Sequence, residues 1–219
     1  MAFNVAIDGP AGAGKSTIAK EVSKRKGYIY VDTGAMYRAM ALYFLRKGIA
    51  SDDEKTIAGS VDGIDVSIEY VDGVQHVILN GEDVSGLIRT EEVGNMASAT
   101  SVYAPVRTKL VSLQQQLAKK ADVIMDGRDI GTVVLKDADV KVFLTASVEC
   151  RAKRRYLELK EKGVEANLED IARDIEERDY RDSHREISPL KQADDAILLD
   201  CSDMTIEEVV AEIIRLCEK

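Results

Sequence analysis

The sequence has few cysteines, and their arrangement excludes two classes of small protein. Only Cys150, Cys201 and Cys217 occur, and they lie far apart along the chain. An odd number without C-x-x-C spacing predicts neither a disulfide framework nor a cysteine zinc site. Free thiols are typical of reducing compartments, so the cysteines indicate a cytoplasmic protein.

Long apolar runs are also missing. No stretch approaches the ~18 apolar residues that a membrane helix needs, so no membrane partner is expected. The first apolar segment begins within a few residues of Met1, and we therefore expect no secretory leader. Internal repeats, low-complexity tracts and linkers are absent from the sequence as well. These features predict a single domain over residues 1–219, with room for a small insertion.

Positively charged residues are fewer than negatively charged ones. The 30 Lys and Arg residues face 39 Asp and Glu residues, which gives a formal net charge of −9. Polynucleotide binding depends on broad basic surfaces, so a nucleic-acid partner is not expected. If the ligand is nevertheless anionic, the chain must gather positive charge locally, and clustered arginines become the candidates.

A glycine-rich motif lies between the first apolar segment and the first helical segment. Gly9, Gly14, Lys15 and Ser16 fit G-x-x-x-x-G-K-[ST], a loop that wraps phosphates with backbone N–H groups. Lys15 is predicted to reach the β- and γ-phosphates, and Ser16 to join the coordination of Mg²⁺. Gly12 and Gly14 are expected at positive φ. A glycine-rich turn without a ligand is the alternative, but the flanking strand and helix favour a nucleoside triphosphate. The predicted site comprises Gly9, Pro10, Ala11, Gly12, Ala13, Gly14, Lys15, Ser16 and Thr17.

Short apolar segments alternate with helical segments along most of the chain. Strands are expected at residues 3–8, 28–31, 122–126, 140–144 and 196–199. Helices are expected at 15–26, 35–47, about 90–101, 105–120, 168–182 and 205–217. This order predicts an α/β protein with the P-loop NTPase fold, in which a five-stranded parallel sheet is flanked by helices. At about 62–85, apolar alternation and two Gly-containing turns predict a small antiparallel β insertion.

Charged residues follow the end of the strand at 122–126, where parallel sheets bind their ligands. Asp126 is the candidate that holds the metal together with Ser16, because P-loop proteins commonly place an acid there. Arg128 would meet a phosphate, and Asp129 would accept hydrogen bonds from a ligand. The alternative is that Asp126 caps a turn and that Arg128 and Asp129 form an ion pair on the surface.

Arginines occur in unusual places for a chain this acidic. Arg38 and Arg107 lie in the first turns of predicted helices, where a cation is disfavoured, so an anionic partner is expected. Arg151, Arg154 and Arg155 share one helix face. Arg178, Asp182 and Arg185 also share one face if the helix expected at 168–182 continues to Arg185. Taken singly, each charge fits a solvated helix surface with ordinary salt bridges. Taken together, the arginines favour anion binding.

In chain order, these motifs resemble the bacterial-type cytidylate kinases over nearly the whole sequence. The resemblance rests on Ile7–Ser16, Asp32–Arg38, Gly81–Val84 leading to Ile88–Glu91, Asp126–Gly131 and Arg178–Asp182. It implies transfer of the γ-phosphoryl group of ATP to CMP or dCMP, giving ADP and CDP or dCDP, with Mg²⁺ as cofactor. It also implies a monophosphate-binding region at about 36–100, which contains the β insertion, and a short helical lid at about 150–165. A monomer is expected.

The resemblance also assigns roles to individual residues. The implied catalytic residues are Lys15, Arg128, Arg155 and Arg178. The lid is implied to place Arg151, Arg154 and Arg155 over the ATP phosphates. The residues implied to bind CMP are Asp32, Thr33, Arg38, Arg107, Arg128, Asp129, Arg178, Asp182 and Arg185. Those implied to read cytosine are Thr33, Arg107, Asp129 and Arg185. Arg38 and Arg128 would hold the monophosphate, and Asp182 would meet the pentose hydroxyls.

Two other functions fit parts of the sequence. One is a kinase for a different monophosphate, or for a small alcohol, on the same scaffold. The other is a nucleotide-dependent switch or regulatory ATP-binding module. Arginines expected on both the donor and the acceptor side argue against the switch, because a switch needs one nucleotide site. Rates with a panel of monophosphates distinguish the first alternative, and a CMP titration distinguishes the second.

Overall fold

The chain forms eight β-strands in the computed structural model, which describes residues 2–218. They are β1 (Asn4–Asp8), β2 (Ile29–Asp32), β3 (Val66–Val71), β4 (Val74–Leu79), β5 (Glu82–Asp83), β6 (Val123–Gly127), β7 (Val140–Thr145) and β8 (Ile197–Asp200). One sheet has the order β2-β6-β1-β7-β8 and is parallel, while β3, β4 and β5 form a separate antiparallel sheet. Both the five-stranded parallel sheet and the small β insertion predicted from the sequence are confirmed.

The described part of the chain also forms eight α-helices, a short 3-10 turn at Val61–Gly63 and a π-helical turn at Ile130–Val134. The α-helices are α1 (Lys15–Lys26), α2 (Thr33–Arg46), α3 (Glu54–Ser60), α4 (Glu91–Thr100), α5 (Ala104–Ala118), α6 (Val148–Glu161), α7 (Leu168–His184) and α8 (Ile206–Leu216). The sequence did not predict α3. It has seven residues and only Ile57 buried, so it shows no apolar period, although the Asp53 carboxylate caps it by accepting from the Thr56 N–H. None of the helices within residues 2–218 has the length and hydropathy needed to span a bilayer.

The described residues divide into two compact units. The first comprises the chain up to Tyr30 and from Ala121 onward, and the second comprises Val31–Lys120. The first unit contains α1, α6, α7 and α8 with most of the parallel sheet. The second contains α2 to α5 with the antiparallel sheet. That residues 1–219 act as one domain stays a prediction.

In the first unit, a shared apolar core fixes the strand that precedes the glycine-rich loop. Ile18 and Val22 of α1 and Val210 and Ile213 of α8 are buried in one cluster with Ile7 of β1. Full burial of such a side chain contributes about 1.5–3 kcal/mol. Thr205 and Glu208 form a capping box at the start of α8, which sets where that helix begins. The end of β1 is therefore held rigidly.

Gly9 lies where the backbone after β1 passes closest to β7. Its φ is +149°, and an ideal Cβ there would lie 1.9 Å from the Leu144 carbonyl oxygen. Because backbone would have to move, Gly9→Ala is expected to lower the free energy of unfolding by at least about 3 kcal/mol. Urea unfolding measures this. The control is Gly94→Ala in α4, where a Cβ meets nothing within 4 Å. A Gly9→Ala protein as stable as the control would contradict the close approach.

Candidate functional site

The glycine-rich loop has the backbone geometry that the sequence predicts. Gly12 and Gly14 lie at φ +76° and +89°, which L side chains rarely adopt. Gly14 is also the N-cap of α1, and no side chain within residues 2–218 caps that helix. The first N–H groups of α1 therefore have no side-chain acceptor and add partial positive charge to the loop. A loop of this kind binds anions.

Lys15 is folded into the loop. Its side chain is buried, and its Nζ donates to the carbonyl oxygen of Pro10 at 2.7 Å. Burial lowers the pKa of the Lys15 ammonium, and the nearby Arg128 guanidinium lowers it further, against opposing effects of Asp126 and Asp8. A cation destabilised in this way gains from an incoming negative charge, because opposite charge favours the protonated form. The loop is therefore electrostatically suited to phosphate.

Ser16 and Asp126, the two residues of the metal prediction, are in direct contact. The Ser16 Oγ donates to Asp126 Oδ2 at 2.7 Å, and the Tyr30 hydroxyl donates to Asp126 Oδ1 at 2.9 Å. The contact follows from strand pairing, since β1 and β6 are neighbours with Ile7 opposite Asp126. Hydroxyl and carboxylate oxygens are ligands that suit Mg²⁺. Residues 2–218 hold no group of three or more His, Cys, Asp or Glu side chains able to bind a metal. The Ser16 hydroxyl and the Asp126 carboxylate would supply two oxygen ligands to a Mg²⁺ ion.

Asp8 is a buried carboxylate that the sequence analysis did not select. It ends β1, directly before Gly9, and its two oxygens accept the N–H groups of Ile130 and Gly131, each at 2.7 Å. Burial raises the pKa of Asp8 to about 6 in spite of these two hydrogen bonds. An acid at the end of an apolar strand was the signal that found Asp126, and the same signal is present at Asp8.

Arg128, Arg178 and Asp182 lie together in the first unit. The Arg128 Nε donates to Asp182 Oδ2 at 2.7 Å, with both side chains largely buried. Burial lowers the pKa of the Arg178 guanidinium, and the Arg128 charge lowers it further, while Asp182 opposes both. Two arginines that share the field of one carboxylate leave a local excess of positive charge. The face predicted to carry Arg178, Asp182 and Arg185 does not extend to Arg185, because α7 ends at His184 and Arg185 is its C-cap in an extended conformation.

Asp129 and Arg185 form a second buried pair. The Arg185 Nη2 lies 3.8 Å from Asp129 Oδ1, and the Arg185 Nε donates to the Ser188 carbonyl at 2.6 Å. Both side chains are more than nine-tenths buried. The pair offers a carboxylate acceptor and a planar donor, the two functions that recognise a base edge.

The three arginines of α6 have three different surroundings. The buried Arg151 donates to the carbonyls of Ala146 and Ala11 at 2.8 and 3.0 Å and contacts Asp179 at 2.7 Å. Arg154 donates to the Cys201 carbonyl at 2.8 Å, while Arg155, half exposed, contacts Glu158. Arg151 thus ties the glycine-rich loop to α7. A shared helix face does not identify these individual partners. That the three arginines bind the ATP phosphates stays a prediction.

In the second unit, Asp32 organises the start of α2. Its Oδ1 accepts the Ala35 N–H at 2.9 Å as the N-cap, and its Oδ2 accepts Arg89 Nη2 at 2.6 Å. The Gln75 side chain clamps the Asp32 backbone, with Oε1 accepting its N–H at 2.8 Å and Nε2 3.4 Å from its carbonyl oxygen. The β insertion, through β4, therefore holds the first turn of α2. Neither Gln75 nor Arg89 was selected from the sequence.

The other predicted residues of the second unit lie on α2 and α5. Thr33 is buried in the first turn of α2, and Arg38 follows one turn later. A Cβ on Gly34 would lie 3.4 Å from Arg38 Nη1, an ordinary contact distance, so the Arg38 guanidinium lies next to this glycine. Arg107 is buried, with its Cζ 5.7 Å from the ring centroid of Tyr37 and its Nη1 donating to the Ser101 carbonyl at 3.2 Å.

The chain is similar to known proteins along almost its whole length. The family model described as cytidylate kinase matches residues 5–219. The cytidylate kinase of Lactobacillus johnsonii is 55% identical over 217 residues, which cover 99% of this chain and 94% of that protein. The cytidylate kinase of Caldicellulosiruptor saccharolyticus is 52% identical over 217 residues, which cover 99% and 96%.

Solved structures support the fold alone. A gluconokinase from Sinorhizobium meliloti superposes with a TM-score of 0.50 at 13% identity, covering 99% of this chain and 92% of that one. An uncharacterized protein from Eubacterium ventriosum gives a TM-score of 0.53 at 12% identity, with both chains fully covered. At such low identity the likeness concerns the arrangement of strands and helices.

Proposed function

The chain belongs to the cytidylate kinase family, and from that premise we propose that it transfers the γ-phosphoryl group of ATP to CMP or dCMP, giving ADP and CDP or dCDP. The observation that carries the proposal is identity of 50% or more to cytidylate kinases along nearly the entire chain. The site chemistry supports it, because the first unit holds the glycine-rich loop with Lys15, the partly buried Arg128 and Arg178, and the buried pair of Asp129 and Arg185.

The donor side needs little covalent chemistry from the protein. In phosphoryl transfer, charge spreads over the transferring oxygens, so the protein must position the groups in line and neutralise that charge. We assign the β- and γ-phosphates of ATP to the loop from Gly9 to Thr17, with Lys15 exchanging its bond to Pro10 for a phosphate oxygen. The acceptor is a phosphate oxygen that is already ionised, so no side chain has to act as a strong base.

Ser16 and Asp126 are the residues we propose to hold Mg²⁺ with ATP. Their oxygens lie 2.7 Å apart, which supports a site where a hydroxyl and a carboxylate would both be ligands of a small ion. Mg²⁺ held there would neutralise part of the phosphate charge. Tyr30 donates to the second oxygen of Asp126 and so orients the carboxylate.

The acceptor is assigned residue by residue. In the first unit, Asp129 and Arg185 would read cytosine, Arg128 and Arg178 would hold phosphate, and Asp182 would meet the pentose. A carboxylate suits cytosine because the base presents an amino donor. The residues of the second unit that would bind CMP are Asp32, Thr33, Arg38 and Arg107. The catalytic group comprises Lys15, Arg128, Arg155 and Arg178.

Several further features belong to the same proposal. The monophosphate-binding region, about 36–100, falls within the second unit and contains the antiparallel sheet. The lid, about 150–165, consists mainly of α6. ATP and CMP or dCMP are the proposed partners. We also predict that the protein is a monomer and that it resides in the cytoplasm. Nucleic acid and membranes are not expected among its partners.

The test is an ADP-release assay with ATP, Mg²⁺ and a panel of CMP, dCMP, UMP, AMP and gluconate. We expect kcat/KM for CMP or dCMP to exceed that for UMP and AMP by about 10–100-fold, the effect of a charged hydrogen bond to the base. Faster reaction with UMP, AMP or gluconate would contradict the substrate assignment. Calorimetric titration tests the switch alternative, which would be supported if ATP bound and CMP did not.

A further inference from the structure

We infer that Asp8 is a positioning residue that holds the acceptor loop, defined as Arg128–Gly131, against the phosphate loop. The inference rests on the proposed function, because it takes Arg128 and Asp129 as acceptor residues. Asp8 itself would contact neither substrate. It would act through the backbone that carries those two side chains.

The geometry places one carboxylate between two functional segments. Asp8 is the last residue of β1, and Gly9 begins the phosphate loop. On the neighbouring strand, Gly127 lies opposite Asp8, and the acceptor loop follows it. Beyond the paired strands, Asp8 Oδ1 accepts the Ile130 N–H and Oδ2 accepts the Gly131 N–H, both at 2.7 Å. A single side chain thus bridges the ends of β1 and β6.

The bond pattern explains why the acceptor loop needs this carboxylate. A short π-helical turn begins at Ile130, and its first N–H groups have no partner within the turn. Asp129 occupies the N-cap position of that turn. In the described part of the chain, however, its carboxylate accepts no capping hydrogen bond from the N–H groups of the turn. Asp8 supplies the cap from a different strand. The Asp129 carboxylate is therefore directed elsewhere, toward Arg185.

The site is unfavourable for a carboxylate, which argues against a role in stability alone. Asp8 is buried, and the nearby Asp129 charge adds repulsion to the cost of desolvation. Only an ionised carboxylate offers two acceptors at this reach. Asparagine would bring one acceptor and place an NH₂ donor against the second N–H. The surroundings are also close, because a Cβ on Gly131 would meet Asp8 Oδ2 at an ordinary contact distance of 3.4 Å and Lys141 Cδ more tightly, at 3.2 Å.

Two variants disturb the bridge in different ways. Asp8→Asn removes one acceptor, whereas Gly131→Ala keeps the carboxylate but adds a methyl group beside Asp8 Oδ2 that Lys141 Cδ must yield to. For Asp8→Asn we expect kcat/KM for CMP to fall about 10–100-fold, the effect of leaving a buried donor unpaired, while the Kd of ATP changes less than about threefold. Gly131→Ala should show the same selective loss at smaller size. Steady-state kinetics and ATP titration measure both.

The matched control is Asp200→Asn. Asp200 also ends a parallel strand and accepts the N–H and Oγ–H of Ser202, at 2.9 and 2.6 Å, but it is exposed. It should leave the kinetics of both substrates unchanged. Equal loss for ATP and CMP in the two test variants, or wild-type kinetics with reduced thermal stability, would overturn the inference. If Asp8→Asn fails to fold, Gly131→Ala decides alone.

The wild-type panel separates this test from that of the proposed function. If the wild-type protein prefers another monophosphate, the proposed function falls, and the variants are measured with that acceptor instead. A selective loss for that acceptor still supports Asp8 as a positioning residue. An absence of selectivity overturns the inference even where the wild-type protein phosphorylates CMP.

Discussion

Replacing Lys15 by alanine is expected to lower kcat by about 10³-fold, the scale seen when one group that stabilises transition-state charge is removed. The Lys15 ammonium is held within the phosphate loop by its 2.7 Å bond to Pro10, ready to move to a phosphate oxygen. The free energy of unfolding of the ligand-free protein should stay the same or rise. Burial and Arg128 already lower the pKa of Lys15, so its charge is an unfavourable feature of the empty loop.

Single-turnover kinetics and thermal unfolding, measured on the same preparation, test this pair of effects. Lys24→Ala is the control, because Lys24 is an exposed lysine in the last turn of the same helix. It should match the wild-type kcat. A Lys15→Ala protein with kcat within about tenfold of wild type would show that the loop backbone and the arginines neutralise the charge without it.

Replacing Asp129 by alanine is expected to raise the KM for CMP by about 10–100-fold, the range for a hydrogen bond to a charged group. The ATP affinity should change little. Asp129 is buried beside Arg185, and the variant would also leave that guanidinium without its nearby carboxylate. Cytosine would then lose an acceptor for its amino group and meet an unbalanced cation.

Steady-state kinetics with each substrate varied in turn distinguish this role from general damage. Asp137→Ala serves as the control, since Asp137 is an exposed carboxylate in the turn before β7. Asp129→Asn should recover part of the loss, because its carbonyl oxygen still accepts a hydrogen bond. Parallel increases in KM for ATP and CMP would contradict the assignment of Asp129 to the base.

Local patterns were sufficient to predict the strands and to select Asp126, but they did not lead to Asp8. The G-x-x-x-x-G-K-[ST] motif predicted the loop and its positive-φ glycines, and Asp126 was found because it ends an apolar strand. Asp8 ends an equally apolar strand but was overlooked, because its partners lie more than 120 positions away. A sequence pattern shows which residues end a strand. It does not show which distant backbone groups they meet.

The arginines of α6 show a second limit of pattern reasoning. Spacing at i, i+3 and i+4 predicts a common face, and helical geometry makes that prediction sound. A long side chain then selects its own partners within reach, and here these are the Ala11 carbonyl, the Cys201 carbonyl and Glu158. Periodicity constrains the direction in which a side chain leaves the helix, but the final contacts depend on tertiary neighbours.

The clamp of Gln75 on Asp32 bears on how such enzymes can be recombined. The antiparallel sheet looks like a portable module, a hairpin and a short strand that could be exchanged between relatives as one piece. Yet one of its side chains bonds to both sides of the Asp32 backbone, at the first turn of the helix that carries Thr33 and Arg38. A transplanted module with a different residue at position 75 would arrive without that attachment. A chimera should therefore exchange β2 and α2 together with the antiparallel sheet.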